Sequence, residues 1–134
     1  MKYRTGLILI ALAGSALATD PQTLSQGYAT QARADNPAFS GFSAKRGEEL
    51  YFRKMQQGGE TISCTTCHTS DARKPGETKT FRSIRPLAPA INPDRFSDER
   101  KVEKWFKRNC KDVLARECSA SEKGDFIAYL QTLK

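Results

Sequence analysis

The sequence lacks internal repeats, low-complexity tracts and any segment in which apolar and polar residues alternate like those of a half-buried strand. Its 134 residues therefore suit a single domain, and the predicted fold class is all-α. Histidine and methionine are scarce as well, because the chain has one histidine, His68, and two methionines, Met1 and Met55. This scarcity limits the side chains that are available as ligands of a transition metal.

The chain also lacks an apolar run that could cross a membrane, because the run LILIALAG is too short for a hydrocarbon core of about 30 Å. This run follows the basic residues Lys2 and Arg4 and precedes a small-residue pattern that ends at Ala18. These features predict a cleavable secretory signal peptide over residues 1–18 and an exported, periplasmic domain over residues 19–134. An uncleaved anchor is the alternative.

Acidic residues are in the minority: the sequence has 15 Asp and Glu and 22 Lys and Arg, which gives a formal net charge of +7. Loss of Lys2 and Arg4 with the signal peptide leaves 7 − 2 = +5. On an exported protein such a surface points to acidic proteins or membranes and not to nucleic acid. The plain alternative is that the charges keep a small domain soluble.

Start and stop signals predict four main helices. They are expected to run from Pro21 to about Ala34 after the cap Asp20, from Ala44 to about Gln57 after Ser43, onward from the cap Ser97, and from Ala120 to about Leu133 after the Ser119–Glu122 capping box. Residues 69–96 show no clear period and hold four of the six prolines. A structureless stretch of that length is expected to be functional, and wrapping a large flat ligand would be such a function.

Residues 64–68 read CTTCH, which is the spacing at which c-type haem is attached. Each thiol adds to one haem vinyl group, and two intervening residues let Cys64 and Cys67 reach both vinyls, while His68 is carried to the iron. A redox C-x-x-C pair favours a βαβ context and needs no histidine. A zinc site that also used Cys110 and Cys118 lacks the spacing of a second zinc knuckle. The sequence therefore predicts one covalent haem c.

A helix before the haem motif, a proline-bearing wrap and a C-terminal helix together resemble class I cytochrome c. The resemblance implies a close crossing of the helices before and after the motif, with Gly47 and Tyr51 against Tyr129 and Leu130. A mid-helix glycine costs about 1 kcal/mol relative to alanine, and a close crossing is a reason to keep one. The His68 ring is expected to donate its second N–H to a backbone carbonyl, for which the Arg85–Pro86 region is the candidate.

The second axial position of the iron has no ordinary ligand, because electron-transfer cytochromes usually fill it with Met or His. Residues 69–134 contain neither, so asparagine, lysine, tyrosine, water or no ligand remain. On the third main helix, Asn109 falls near the centre of an apolar stripe, and the lysines point away. The stripe comprises Val102, Trp105, Phe106 and Val113, and the lysines are Lys101, Lys104, Lys107 and Lys111. Asn109 is the candidate ligand, and the alternative is that its amide bonds to backbone near the helix end.

Three segments resemble the sphaeroides haem protein family of oxygen-binding class I cytochromes c, namely SCTTCH at 63–68, PLAPAINPDRF at 86–96 and RKVEKWFKRNC at 100–110. The resemblance implies that Asn109 binds the ferric iron and leaves on reduction, which opens a site for O2, NO or CO. It implies a disulfide between Cys110 and Cys118. It also implies a dihaem cytochrome c and a membrane cytochrome b as redox partners.

The predicted function is accordingly that of a periplasmic monohaem cytochrome that accepts electrons and binds a diatomic gas. The main alternative is a plain electron shuttle with a permanent sixth ligand, for which Met55 is the candidate. An enzyme that reduces peroxide or consumes NO ranks lower, because no histidine base or second distal catalytic group is apparent. A basic docking face for an acidic electron donor is expected on the outer side of the Asn109 helix, and the alternative is that these charges belong to an ordinary solvated helix. It comprises Lys101, Lys104, Lys107, Arg108 and Lys111.

Overall fold

The computed structural model describes residues 19–134, so the predicted signal peptide lies outside the described residues. This part of the chain forms five helices and two short antiparallel ribbons, which confirms the predicted all-α class. The helices are α1 (Pro21–Asp35), α2 (Ala44–Phe52), α3 (Thr65–His68), α4 (Glu99–Leu114) and α5 (Ala120–Thr132). The strands are β1 (Met55–Gln57), β2 (Glu60–Ile62), β3 (Gly76–Glu77) and β4 (Ser83–Ile84). Within residues 19–134, no helix combines the length and the apolar character needed to cross a membrane.

Three of the four predicted helix starts are confirmed by their capping hydrogen bonds. Asp20 accepts the backbone N–H groups of the first turn of α1, Ser43 caps α2, and Ser119 forms a capping box with Glu122 at the start of α5. The prediction for α4 was wrong by one residue, because Asp98 is the cap and accepts the Lys101 N–H at 3.1 Å. Serine and aspartate are both good caps, so sequence preference alone does not separate adjacent candidates.

The predicted end of α2 was wrong, and short strands occur although no segment shows strand alternation. The helix ends at Phe52 instead of Gln57, because residues 55–57 pair with residues 60–62 as β1 and β2. Gly58 and Gly59 turn the hairpin at φ values of 56° and 85°, a backbone conformation that glycine adopts readily. Strands of three residues are too short to show alternation, so the two glycines were the available signal.

The predicted crossing of α2 and α5 is confirmed at Gly47. A Cβ at this position would lie 1.9 Å from the Asp125 carbonyl oxygen and 2.8 Å from Tyr129 Cβ. Tyr51 and Leu130 are fully buried. Both are close in sequence to the residues that meet at this crossing. The two helices can therefore approach this closely only because position 47 has no side chain.

Replacement of Gly47 by alanine is expected to destabilise the protein by about 3 kcal/mol or more, because the new methyl group meets backbone atoms that cannot move aside without separating α2 from α5. Gly27→Ala in α1 is the matched control, since a Cβ there has nothing within 4 Å. That control should gain roughly 0.5–1 kcal/mol from helix propensity. Urea unfolding of the ferric proteins measures both changes. Equal midpoints for the two variants would contradict the close crossing.

The segment after the haem motif is held in place by backbone hydrogen bonds at its two ends. The N–H groups of Leu87 and Ala88 both donate to the Ala72 carbonyl, at 2.9 and 3.1 Å. Ala72 and Ala88 are 1% and 0% exposed, so the two passes of the chain are in close contact. The β3–β4 ribbon lies between these anchor points in the sequence. The wrap expected for residues 69–96 is therefore a closed, ordered loop.

Candidate haem site

The C-x-x-C-H motif forms one helical turn. Cys64 precedes α3, and its carbonyl accepts the His68 backbone N–H at 3.0 Å. Cys64 and Cys67 are free and half-buried. Thr69, with φ at 62°, follows the helix and ends it. A single turn thus carries two thiols and one imidazole, the three groups that haem attachment requires.

Tyr51 and Gly76 fix this turn from two sides. The fully buried Tyr51 directs its hydroxyl to the carbonyls of His68 and Thr69, at 3.0 and 2.8 Å. A Cβ at Gly76 would lie 2.0 Å from the Cys67 carbonyl oxygen, so the wrap returns directly onto the motif. The helical pattern placed Tyr51 in the core, but a periodicity carries no information about hydrogen bonds to a distant turn.

The His68 ring has the protonation state that metal binding requires. Burial, followed by the positive charge of Arg95, lowers the pKa of His68 to about 4. The ring is therefore neutral at pH 7, the form in which imidazole binds a metal. Burial also raises the pKa of the Cys64 thiol to about 11. The motif thus presents a neutral imidazole beside an un-ionised thiol.

The carbonyls proposed to accept from the His68 ring have other donors. The Pro86 carbonyl accepts from Asn92 Nδ2 at 2.9 Å and from Arg95 Nε and Nη2 at 3.3 and 3.0 Å. The Arg85 carbonyl accepts from Arg95 Nη2 at 2.8 Å. A carbonyl oxygen has two lone pairs, so these contacts use the capacity of Pro86. Within residues 19–134 the structure shows Asn92 and Arg95 as donors to the Pro86 carbonyl and no hydrogen bond from the His68 ring to either carbonyl, so the acceptor of the His68 ring stays a prediction.

Asn109 lies half-buried on α4, on the face that also carries the buried Val102 and Val113. The groups at the end of α4 are paired without it. The Ala115 N–H closes the last turn, and Gln57 Nε2 donates to the Val113 carbonyl at 3.0 Å. Within residues 19–134, the Asn109 amide makes no hydrogen bond to backbone near the helix end. Its amide is thus available to another partner.

Trp105 departs from the predicted apolar stripe because 45% of its surface is exposed. Lys104 Nζ and Arg108 Cζ lie 5.9 and 5.6 Å from the centroid of its ring, which is the geometry of cation–π contacts. The ring therefore lies among the basic side chains of its own helix as well as beside the inward face. The four lysines expected to point outward are all exposed, as predicted. They are Lys101, Lys104, Lys107 and Lys111.

A disulfide joins Cys110 and Cys118, whose Cα atoms lie 5.6 Å apart. Cys110 is buried in α4 directly after Asn109, and Cys118 immediately precedes the cap of α5. The bond therefore connects the helical turn that carries Asn109 to the start of α5. Met55 packs against the same buried cluster as this disulfide. The cluster comprises Leu50, Cys110, Val113 and Leu114.

The residues of the site fit a haem c. Two free thiols and a neutral imidazole share one turn, whereas residues 19–134 contain no group of three or more His, Cys, Asp or Glu that could hold a bare metal ion. The buried Asn92 Oδ1 on the wrap has no partner within those residues, so the protein alone does not complete the polar contacts there.

Comparison with known proteins agrees with this donor set. Residues 37–130 match the family described as Domain of unknown function (DUF1924). Over 129 residues the chain is 49% identical to the cytochrome c-type protein SHP of Cereibacter sphaeroides, with 92% of this chain and 95% of that protein covered. The chain belongs to the sphaeroides haem protein family. Like its c-type relatives, this sphaeroides haem protein family member carries covalently bound haem c, which confirms the predicted cofactor.

Solved structures confirm the class I cytochrome c fold of this family member. The structure of oxidised SHP, an oxygen binding cytochrome c, superimposes with a TM-score of 0.76 at 40% identity, covering 86% of this chain and 98% of that chain.

Cytochrome c'' of Methylophilus methylotrophus is 36% identical over 138 residues, which cover 98% of this chain and 96% of that protein. Its oxidised crystal structure has a TM-score of 0.79 at 37% identity, covering 85% of this chain and 94% of that chain. Its solution structure, described as giving insights into haem-ligand detachment, has a TM-score of 0.74 at 38% identity and covers 84% and 92% of the two chains.

Proposed function

We propose that this protein is an exported, periplasmic monohaem cytochrome that accepts an electron and then binds a diatomic gas. Cys64 and Cys67 would hold the haem through thioethers, His68 would be its proximal ligand, and Asn109 would bind the iron in the ferric state. The haem supplies one-electron chemistry at the iron and a sixth coordination position. The observation that carries the proposal is the half-buried amide of Asn109 on the inward face of α4, which makes no hydrogen bond within residues 19–134.

Asn109 is suited to hold one oxidation state and to release the other. An amide oxygen is a hard, neutral donor, so it binds Fe(III) better than the softer Fe(II). Methionine sulfur has the opposite preference, and amide ligation should therefore give a lower potential than Met/His ligation. On reduction the amide would leave the iron, and its NH2 group, still carried by α4, would be available as a hydrogen-bond donor to a bound gas. A relative described as oxygen binding and another described in terms of haem-ligand detachment support this assignment.

The alternative of a permanent Met55 ligand is less well supported. Met55 lies on β1, is partly buried and packs against a buried cluster that includes the disulfide. Ligation by Met55 would remove this side chain from the cluster and lose its packing contacts there. Asn109 has no such contact to lose, because its amide makes no hydrogen bond within residues 19–134.

Gas binding is tested by the absorption spectrum of the reduced protein with and without CO. A protein that releases Asn109 on reduction should bind CO with a large change in the Soret band at micromolar concentrations. Met55→Leu is the control, because leucine preserves the packing of β1 but cannot bind iron. This variant should keep the wild-type spectra in both oxidation states. A reduced protein that resists CO until Met55 is replaced would instead establish the closed shuttle.

The redox partners implied by the family, a dihaem cytochrome c and a membrane cytochrome b, would approach the exposed side of α4. Its basic residues are partly paired, since Lys107 lies 3.8 Å from Glu117 and Arg108 lies 3.8 Å from Asp112. No carboxylate of residues 19–134 lies within 4.0 Å of Lys104 or Lys111. These two lysines, beside the exposed Trp105, therefore carry the net positive charge of the face.

Charge reversal of Lys104 and Lys111 to glutamate is expected to slow reduction by an acidic electron donor about 10-fold or more at low salt. The difference from wild type should shrink as salt rises, because the Debye length falls from ~30 Å at 0.01 M to ~8 Å at physiological strength. Lys45→Glu with Lys74→Glu is the control, with the same charge change on exposed residues elsewhere. Stopped-flow rates measure the effect. Equal slowing by both pairs would mean that net charge, and not this face, steers the donor.

A further inference from the structure

The last turn of α4 has a side-chain partner from outside the helix. The Val113 carbonyl lies in this turn, where an α-helix leaves its final carbonyls without a partner of its own. Gln57 ends β1, 56 residues away in the chain, and its Nε2 donates to that carbonyl at 3.0 Å. The adjacent Gln56 is exposed, and its Nε2 donates to Thr61 Oγ1 on β2 at 2.7 Å. Gln57 therefore links the β1–β2 hairpin to α4, whereas the bond of Gln56 stays within the hairpin.

The residue that Gln57 holds lies one helical turn after Asn109. Both residues belong to α4, so Val113 is on the same face as Asn109, and its N–H donates to the Asn109 carbonyl in the regular α-helical pattern. Cys110, which follows Asn109, is joined to Cys118 by the disulfide. The turn that carries Asn109 is therefore held from two sides, by the disulfide to the start of α5 and by Gln57 to the hairpin.

Packing of the hairpin on α4 gives this hydrogen bond a fixed base. Met55 and Ile62 are partners in the register of the ribbon, and both pack against the buried cluster that includes Cys110. Gln57 follows Met55 by two residues, so its side chain leaves the same face of β1. Val113 is buried, and a buried carbonyl that loses its donor is unfavourable. Loss of the Gln57 donor should therefore loosen the last turn of α4 while the hairpin stays packed.

We propose that Gln57 is a positioning residue for Asn109, because its bond to the end of α4 keeps the amide where it binds ferric iron. The inference rests on the proposed ligand role of Asn109 and adds the part of the fold that controls this role. Contacts that orient a metal ligand contribute to its affinity, although they do not touch the metal. The ferrous state does not use the amide as a ligand, so Gln57 should affect the ferric protein and not the ferrous one.

Imidazole binding by the intact ferric holoprotein tests this inference, because imidazole must displace Asn109 from the iron. Gln57→Leu removes the donor and keeps a side chain of similar size. Its apparent affinity for imidazole should rise about 2- to 10-fold, the change that one hydrogen bond supports. The affinity of the ferrous variant for CO should remain that of wild type. Gln56→Ala is the matched control from the same strand and should have wild-type affinity for imidazole.

Hydrogen–deuterium exchange gives a second readout that does not depend on a ligand of the iron. Amides of residues 107–115 should exchange faster in Gln57→Leu than in wild type or Gln56→Ala, because the end of α4 has lost its external partner. Unchanged exchange in this segment would show that Gln57 does not hold the end of α4.

Two further variants separate positioning from general stability. Ser43→Ala removes the capping bond that the Arg46 N–H donates at 3.2 Å, and it should lose comparable stability in urea but keep wild-type affinity for imidazole. In a protein that already carries Asn109→Ala, Gln57→Leu should no longer change the affinity, since no amide remains to be displaced.

The outcomes distinguish failure of this inference from failure of the proposed function. Wild-type imidazole affinity in Gln57→Leu, together with an altered ferric spectrum in Asn109→Ala, would reject the role of Gln57 and leave the ligand role of Asn109 intact. An equal rise in Ser43→Ala would assign the effect to stability. An equal rise with and without Asn109 would mean that Gln57 acts on the haem site by another route. An unchanged ferric spectrum in Asn109→Ala would instead remove the proposed function, and this inference with it.

Discussion

Asn109→Ala is expected to change the ferric absorption spectrum to that of a water-bound or five-coordinate iron and to leave the ferrous spectrum nearly unchanged. The reason is that the amide is a ligand of the oxidised state and has already left in the reduced state. Trp105 and Phe106 stay in place beside the vacated position, and α4 keeps its buried contacts at Val102 and Val113. The effect is therefore one of ligation and not of folding, and optical spectra of both oxidation states measure it.

The same substitution should raise the midpoint potential. A ligand that binds only the ferric state stabilises that state, and each tenfold of stabilisation lost shifts a one-electron couple by about 59 mV. Affinity for O2 should fall about 10-fold, since loss of one hydrogen bond is worth about 1–1.5 kcal/mol. CO accepts such bonds less well, so its affinity should change less. A fall in the ratio of O2 affinity to CO affinity in Asn109→Ala would therefore show that the amide donates a hydrogen bond to bound O2.

Arg108→Ala is the control for Asn109→Ala, because Arg108 is the preceding residue but is exposed and paired with Asp112. This control should leave both spectra unchanged. An unchanged ferric spectrum in Asn109→Ala would mean that another group fills the second axial position. The gas-binding mechanism would then lose its basis, whereas covalent haem attachment would stand.

Removal of the disulfide by the double substitution Cys110→Ala and Cys118→Ala is expected to lower stability by about 2.5 kcal/mol in the chain-entropy model. For a domain of this size the melting temperature should fall by roughly 10 °C. The loop that the bond closes is short, with a sequence separation of 8, but the bond lies directly beside Asn109. Loosening of this turn of α4 should also give a mixed ferric spectrum, in which part of the iron has lost the amide.

Two measurements separate the stability effect from the ligand effect. Urea unfolding followed by Trp105 fluorescence reports stability, and the ferric spectrum in the absence of urea reports ligation. Cys118→Ala alone breaks the bond but keeps the buried Cys110 side chain, so it should show the ligand effect with less loss of core packing. A double variant with wild-type urea midpoint and wild-type ferric spectrum would show that the bond supports neither property.

The helices and the haem motif could be predicted from the sequence because their determinants are local. Asp20, Ser43 and Ser119 cap helices through atoms a few residues away, and CTTCH sets the spacing of its own thiols. The Gly47 crossing was also predictable, since a glycine in mid-helix needs a close neighbour. The end of α2 was not, because the β1–β2 pairing competes with helix continuation only once both strands and the two-glycine turn are in place.

The sequence by itself determined the cofactor, the all-α class and the short set of residues available as the second axial ligand, because a motif, a period and an inventory depend on the order and identity of residues alone. The tertiary structure decided which of those residues have partners. It packed the partly buried Met55 against the core, left the Asn109 amide without a hydrogen bond within residues 19–134, and directed Tyr51 to the His68 carbonyl. Pairing between residues far apart in the chain depends on packing, and no local pattern encodes it.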